Sequence, residues 1–92
     1  MDKLLLNPIR LKIISTLLGV SSCDFNHLQK VTESSKGNLS VQLKKLEESN
    51  YISISKSFKN NYPNTSCSIT KLGSKRLKNF LSLLCPLENK KV

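Results

Sequence analysis

Histidine and cysteine are where catalysis or metal binding is sought first. This chain has one histidine, His27, and three cysteines, Cys23, Cys67 and Cys85. Cys23 and His27 stand four residues apart and can share a helix face, but two ligands do not make a zinc site. Three cysteines at wide spacing fit neither a disulfide framework nor a CxxC pair, and read as reduced thiols. There is no Gly-rich phosphate loop and no nucleophile–base pair at helical or strand spacing, so no catalytic residue, metal or cofactor is expected. The segment from Ser35 to Glu48 offers chemistry of another kind. Asn38 can pair bidentately with an adenine edge, Ser40 donates or accepts, Val41 can touch a thymine methyl, and Lys44 or Lys45 can reach guanine or a phosphate. Ser35 and Lys36 begin the same segment, and Lys36 suits a phosphate.

Those side chains act together only if a helix holds them on one face. Leu39, Leu43 and Leu46 recur at i, i+4 and i+7, which predicts a helix over about 35–49, capped by Ser34 or Ser35. The same period turns Gly37, Ser40, Val41, Lys44 and Glu48 away from the apolar stripe and sets Asn38 and Lys45 on its flank. Asn50 is placed to stop the helix in the left-handed conformation. Upstream, Asn7-Pro8 opens a helix running to about Leu18, with Gly19 ending it. Arg10 falls inside that helix's apolar arc, so a carboxylate or helix carbonyl elsewhere in the fold is expected to pair with it. Asp24 caps a short helix to about residue 32, with Phe25, Leu28 and Val31 on one face.

After Asn50 the period changes to two: Tyr51 to Phe58 alternates as a half-buried strand does. A polar turn is expected at Lys59-Asn60-Asn61-Tyr62-Pro63-Asn64, then a short strand from Thr65 to Ile69, together a β-hairpin over about 51–70. Thr70 caps a last helix over about 71–85. Its apolar residues Leu72, Leu77, Phe80, Leu81, Leu83 and Leu84 spread over nearly half its circumference, more than docking on one small domain requires. Pro86 and the tail from Glu88 to Val92 read as a frayed end.

The chain's 92 residues suit one domain, which excludes a two-domain enzyme. With 38% hydrophobic residues, no Trp and few aromatics, its core is expected to be aliphatic. Fifteen Lys and Arg against six Asp and Glu leave a net +9, which favours a polyanionic partner, nucleic acid before a membrane surface. The excess grows along the chain: 4 − 3 = +1 over residues 1–34, 5 − 2 = +3 over 35–65 and 6 − 1 = +5 over 66–92. Val20-Ser21-Ser22-Cys23 resembles a lipoprotein signal box, but Asn7, Pro8, Arg10 and Lys12 interrupt the leader. No stretch approaches the ~20 apolar residues of a spanning helix, so a cytoplasmic protein without membrane contact is expected.

Three helices, a strand, a polar turn, a strand and a helix is the order of an α+β winged helix-turn-helix. The sequence resembles the small stand-alone winged-helix DNA-binding transcriptional regulators of the broad MarR/ArsR type over roughly residues 4–84. The matching segments are Asn7-Pro8-Ile9-Arg10-Leu11, Asp24-Phe25, the run from Gly37 to Glu48, Tyr51-Ile52, Thr65 and Leu72-Gly73. Asn50 stands where such domains usually carry Gly, and Asn60, Asn61 and Asn64 occupy wing positions that are often Arg. The paired cysteines of metal-sensing relatives are absent.

The resemblance implies double-stranded DNA as partner, with the third helix in the major groove and the hairpin on the backbone or minor groove. Asn38 and Ser40 then read bases, Lys36 and Lys59 hold phosphates, and Asn60 and Asn61 offer amide hydrogen bonds from the wing. The broad arc of the last helix, with Leu4, Leu5 and Leu6, predicts a homodimer through Leu4, Leu5, Leu77, Phe80, Leu81 and Leu84. An alternative is a winged helix used only for protein–protein interaction, which would show an exposed apolar groove and no salt-dependent DNA binding. A small-molecule effector is left open by the sequence.

Overall fold

The computed structural model describes residues 2–84, without the side chains of Lys59 and Leu84. Before the first helix lies a short 3-10 helix, Lys3–Leu6, which the sequence pattern does not announce; the Asp2 side chain accepts from Leu4 N at 3.0 Å and starts it. Helix α1, Pro8–Leu18, follows at once. The Asn7 side chain accepts from Ile9 N at 2.8 Å and Arg10 N at 3.0 Å, and Pro8 takes a first-turn position where its missing N–H costs nothing.

Strand β1, Cys23–Asp24, has only two residues, too few for any periodicity to reveal it. Asp24 also caps helix α2, Phe25–Thr32, by accepting from His27 N at 2.8 Å. Helix α3, Lys36–Glu48, is capped by Ser35, whose hydroxyl accepts from Asn38 N at 3.1 Å. The Ser34 hydroxyl is instead bonded to that of Thr32 at 2.8 Å. At the other end of α3, Asn50 takes φ 64°, with Asn50 N donating to Glu47 O and Tyr51 N to Leu46 O. These are the two bonds of a Schellman stop, and Asn suits it because it enters the left-handed region more readily than most residues with a side chain.

Strands β2, Ile52–Lys59, and β3, Tyr62–Ile69, pair antiparallel from Ile52↔Ile69 out to Lys59↔Tyr62. The connection is therefore two residues, Asn60 and Asn61, at φ 53° and 67°, and the expected six-residue turn is corrected. Tyr62, Pro63 and Asn64 belong to the strand. Two successive positive-φ residues make a type I′ turn, whose twist suits a tight hairpin. In such a hairpin the closing pair Lys59↔Tyr62 is hydrogen-bonded, so Phe58↔Pro63 falls at a non-hydrogen-bonded site. Pro63 there turns its ring nitrogen toward the side of β3 that β1 leaves open, since β1 pairs only with Ser66 and Cys67. The sheet order is β1-β3-β2.

Ile52, Ile54, Cys67 and Ile69 pack with the helices, while Ser53, Ser55 and Ser57 are exposed on the opposite face. The core they join is formed by Leu5, Ile13, Ile14, Leu17, Leu28, Leu39, Leu43, Leu46 and Leu77, with Tyr51 and Phe80 as its aromatic members. Helix α4, Lys71–Leu84, is capped by the Thr70 hydroxyl, which accepts from Gly73 N at 3.0 Å and donates to Asn50 O at 2.7 Å. A Cβ on Gly73 would lie 2.1 Å from Tyr51 O, so only glycine lets α4 rest against the wing's root. The Tyr51 hydroxyl donates to the Asp2 carboxylate, tying that root to the start of the chain. Burial, then this bond, pushes the Tyr51 phenol up to about 12. The expected frayed tail from Pro86 onward lies outside the described residues.

Candidate nucleic-acid interface

The apolar stripe of α3, Leu39, Leu43 and Leu46, is sunk in the core, and this fixes which residues the helix presents outward. Lys36, Asn38, Ser40, Val41, Lys44 and Lys45 are all exposed, and Val41 is 51% accessible despite being aliphatic. Ser40 and Lys44 face the hairpin across an open cleft of about 600 Å³, with Ile54, Lys56 and Thr65 on the far wall and Phe25, Leu43 and Glu47 completing it. Lys56 was not singled out by sequence reasoning. Its signal is parity, because it continues the i, i+2 series of Ile52 and Ile54 and so shares their face of β2. It adds a second cation to the cleft opposite Lys44.

Gln42 was missed as well; its signal is spacing, since it stands three residues after Leu39 and four before Leu46, on the side of the apolar stripe. It is 9% accessible and lies under the outward face of α3. Its Oε1 accepts from an Arg10 guanidinium N–H, and its Nε2 donates to Asn38 Oδ1 at 2.9 Å. Arg10 Nε donates to Leu4 O at 2.7 Å. The expected carbonyl partner of Arg10 is thus supplied by the 3-10 helix, and a side-chain amide takes the other bond.

Ser35 spends its acceptor on the α3 cap and stays exposed at the helix start. Asn60 and Asn61 are exposed at the tip of the wing, far along the hairpin from the core residue Ile52. Beside them Phe58 and Tyr62 are 77% and 74% accessible. Lys59 has its backbone in β2, and its side chain lies outside the description.

The residues expected at a dimer interface divide. Leu5, Leu77 and Phe80 are fully or almost fully buried in the monomer's own core, which corrects their placement on a partner-facing surface. The physical reason is the 3-10 helix: Leu5 turns inward with α4 closing over the same core, so part of the wide arc of α4 is used within one chain. Leu4 is half-buried, Leu81 is 41% accessible, and the Leu84 side chain lies outside the description. Leu6 and Leu83 are also exposed. Lys71, Lys75 and Lys78 line another side of α4 with Ser74 and Asn79.

Two thiols, Cys23 and Cys67, lie among the described residues. Burial pushes Cys67 up to about 11, with the neighbouring Cys23 and Glu47 adding to the shift, and burial followed by Asp24 raises Cys23. Among the described residues, no three of His, Cys, Asp and Glu come together, and no helix is long and apolar enough to cross a membrane.

An exposed helix face beside an antiparallel wing is the geometry of a winged helix, and the sequence profile described as winged helix DNA-binding domain matches residues 9–87. The chain belongs to that family. An uncharacterized protein of Methanocaldococcus jannaschii (MJ0432) is 34% identical over 79 residues, spanning 86% of each chain. Among solved structures, this winged-helix domain is similar to a transcriptional regulator homologue from Pyrococcus horikoshii OT3. That structure has a TM-score of 0.85 and 32% identity, over 96% of this chain and 87% of that one. A MarR family regulator from Porphyromonas gingivalis W83 shares the fold at TM-score 0.74 and 19% identity, over 98% and 86% of the two chains. Family and fold are those of a DNA-binding module rather than of an enzyme class.

Proposed function

We propose that the protein is a cytoplasmic, sequence-specific transcriptional regulator that acts by binding duplex DNA, the whole chain forming one winged-helix domain. Helix α3 enters the major groove, and the hairpin lies along the backbone or the adjacent minor groove. The observation that carries this reading is the outward face of α3. Asn38, Ser40, Val41 and Lys44 stand exposed together on a helix whose other side is anchored in the core, next to a wing. Asn38 and Ser40 read base edges and Val41 contacts a thymine methyl. Lys36, Lys45, Lys56 and Lys59 hold phosphates, which sets register without reading sequence. Ser35, Asn60 and Asn61 add backbone contacts from the helix start and the wing tip. Two copies associate through Leu4, Leu6, Leu81 and Leu83 near the chain's ends, presenting two α3 helices to half-sites about one DNA turn apart.

The test is binding of the purified protein to random duplex DNA across a salt series, with sedimentation to count chains. The expected result is a log–log salt slope of roughly −0.9 per phosphate neutralised, with several phosphates engaged, and the mass of a dimer. No detectable binding at about 50 mM salt would overturn the reading and leave protein–protein interaction as the use of this fold.

A further inference from the structure

The bonds under α3 have a direction, and the direction is set by chemistry. A guanidinium only donates, so the Gln42 atom facing Arg10 must be the oxygen Oε1. That leaves Gln42 Nε2, a donor, facing Asn38, and the Asn38 atom it meets at 2.9 Å must therefore be Oδ1. The Asn38 amide, which alone rotates freely between two orientations, is held with Nδ2 free to point away from Gln42. Its Oδ1 keeps one lone pair. Arg10 is itself fixed by its second bond, to Leu4 O at 2.7 Å. Gln42 is almost fully buried while Asn38 is exposed, so the relay runs from the interior to the surface. Among the described residues, no buried side-chain polar atom is left without a partner.

We propose that Gln42, backed by Arg10, is a specificity-determining positioning residue that fixes the Asn38 amide so that it presents Nδ2 to a base acceptor and thereby selects adenine. Nδ2 donates to adenine N7, and the spare lone pair of Oδ1 accepts from the N6 amino group. Guanine and thymine carry no amino group on that edge and lose the bond to Oδ1, and cytosine carries no acceptor for Nδ2. Neither Gln42 nor Arg10 touches the base; both act through Asn38. This inference rests on the DNA-binding reading above, and its test separates the two.

The test is selection from a randomised duplex library by the wild-type protein and by the N38A, Q42M and Q42E variants, with thermal melts and binding to random duplex as controls. The wild type is expected to enrich a motif in which N38A identifies the adenine that Asn38 reads. Q42M, similar in volume and without an amide, should lower discrimination at that one position about tenfold and leave binding to random duplex unchanged. Combining N38A with Q42M should lose no more than N38A alone, because Gln42 acts only through Asn38. Q42E is the sharper variant. Its carboxylate accepts from both Arg10 and Asn38, which turns the Asn38 amide over, presents Oδ1 outward, gives up the bond to adenine N7 and moves the preference toward cytosine, whose major-groove edge offers an amino donor alone. A structural role alone would not change which base is chosen. The proposal is overturned if N38A leaves the motif unaltered, or if Q42M and Q42E select the wild-type base with wild-type strength. A wild type that enriches no motif would instead bring down the DNA-reading proposal on which this one stands.

Discussion

Helix α3 and the wing are both surfaces that a DNA duplex would meet, yet they are built on opposite physical terms. The outward face of α3 is the far side of a stripe sunk in the core, and Asn38 is held from beneath by Gln42 and Arg10. The outer end of the wing is held chiefly by its own strand pairing. Phe58 and Tyr62 lie largely in solvent, and the turn rests on two asparagines in the left-handed region. The outward side chains of α3 are placed by packing, whereas the wing tip is placed by backbone geometry. A helix anchored in this way suits sequence reading, and a tip free to settle against the duplex suits contacts to the backbone.

The contrast can be strained at three points. Leu46→Ala, under α3, removes a fully buried side chain and is expected to cost about 2–5 kcal/mol in a denaturant melt. A cost below about 1 kcal/mol would mean that α3 is not anchored as described. The next effect in size lies at the wing's root. The Tyr51 phenol is held neutral with a folded-state value of about 12, above its ordinary value of 10. Its stabilising contribution is therefore complete below pH 10 and is lost as the pH climbs through 12. Melting curves across this range should fall more steeply for the wild type than for Tyr51→Phe, and parallel curves would remove the Asp2 tether from the account. The smallest change is expected at the tip. Asn61→Ala puts a less tolerant residue at φ 67° and should cost about 1 kcal/mol. Amide exchange should quicken in β2 and β3 and stay unchanged in α3; equal quickening in both would show that wing and helix are one cooperative unit.

Much of this was open to reading along the chain, where the physics is local. Asn7-Pro8, Asp24, Ser35 and Thr70 each start a helix because a side-chain oxygen satisfies backbone N–H groups two or three residues on, a pattern that needs no knowledge of the rest of the fold. The turn was harder to read. Lys59 to Asn64 looks like a long polar loop, but asparagine's tolerance of positive φ and the open edge beside Pro63 let the ladder run to the tip. The two-residue strand β1 and the 3-10 helix are too short to carry a period, and they exist only because β3 and the core are there to receive them.

The sequence by itself determined where helices begin, which stripe of α3 is apolar and hence which residues face outward, because these follow from capping and from periods of 3.6 and 2. Only the tertiary structure decided that Leu5, Leu77 and Phe80 belong to the monomer's own core, that Lys56 faces Lys44 across the cleft, and that Gln42 lies between Arg10 and Asn38. Those are relations between different elements, Arg10 of α1 with Gln42 of α3 and Lys56 of β2 with Lys44 of α3. They depend on how elements pack, and a local pattern does not contain that information.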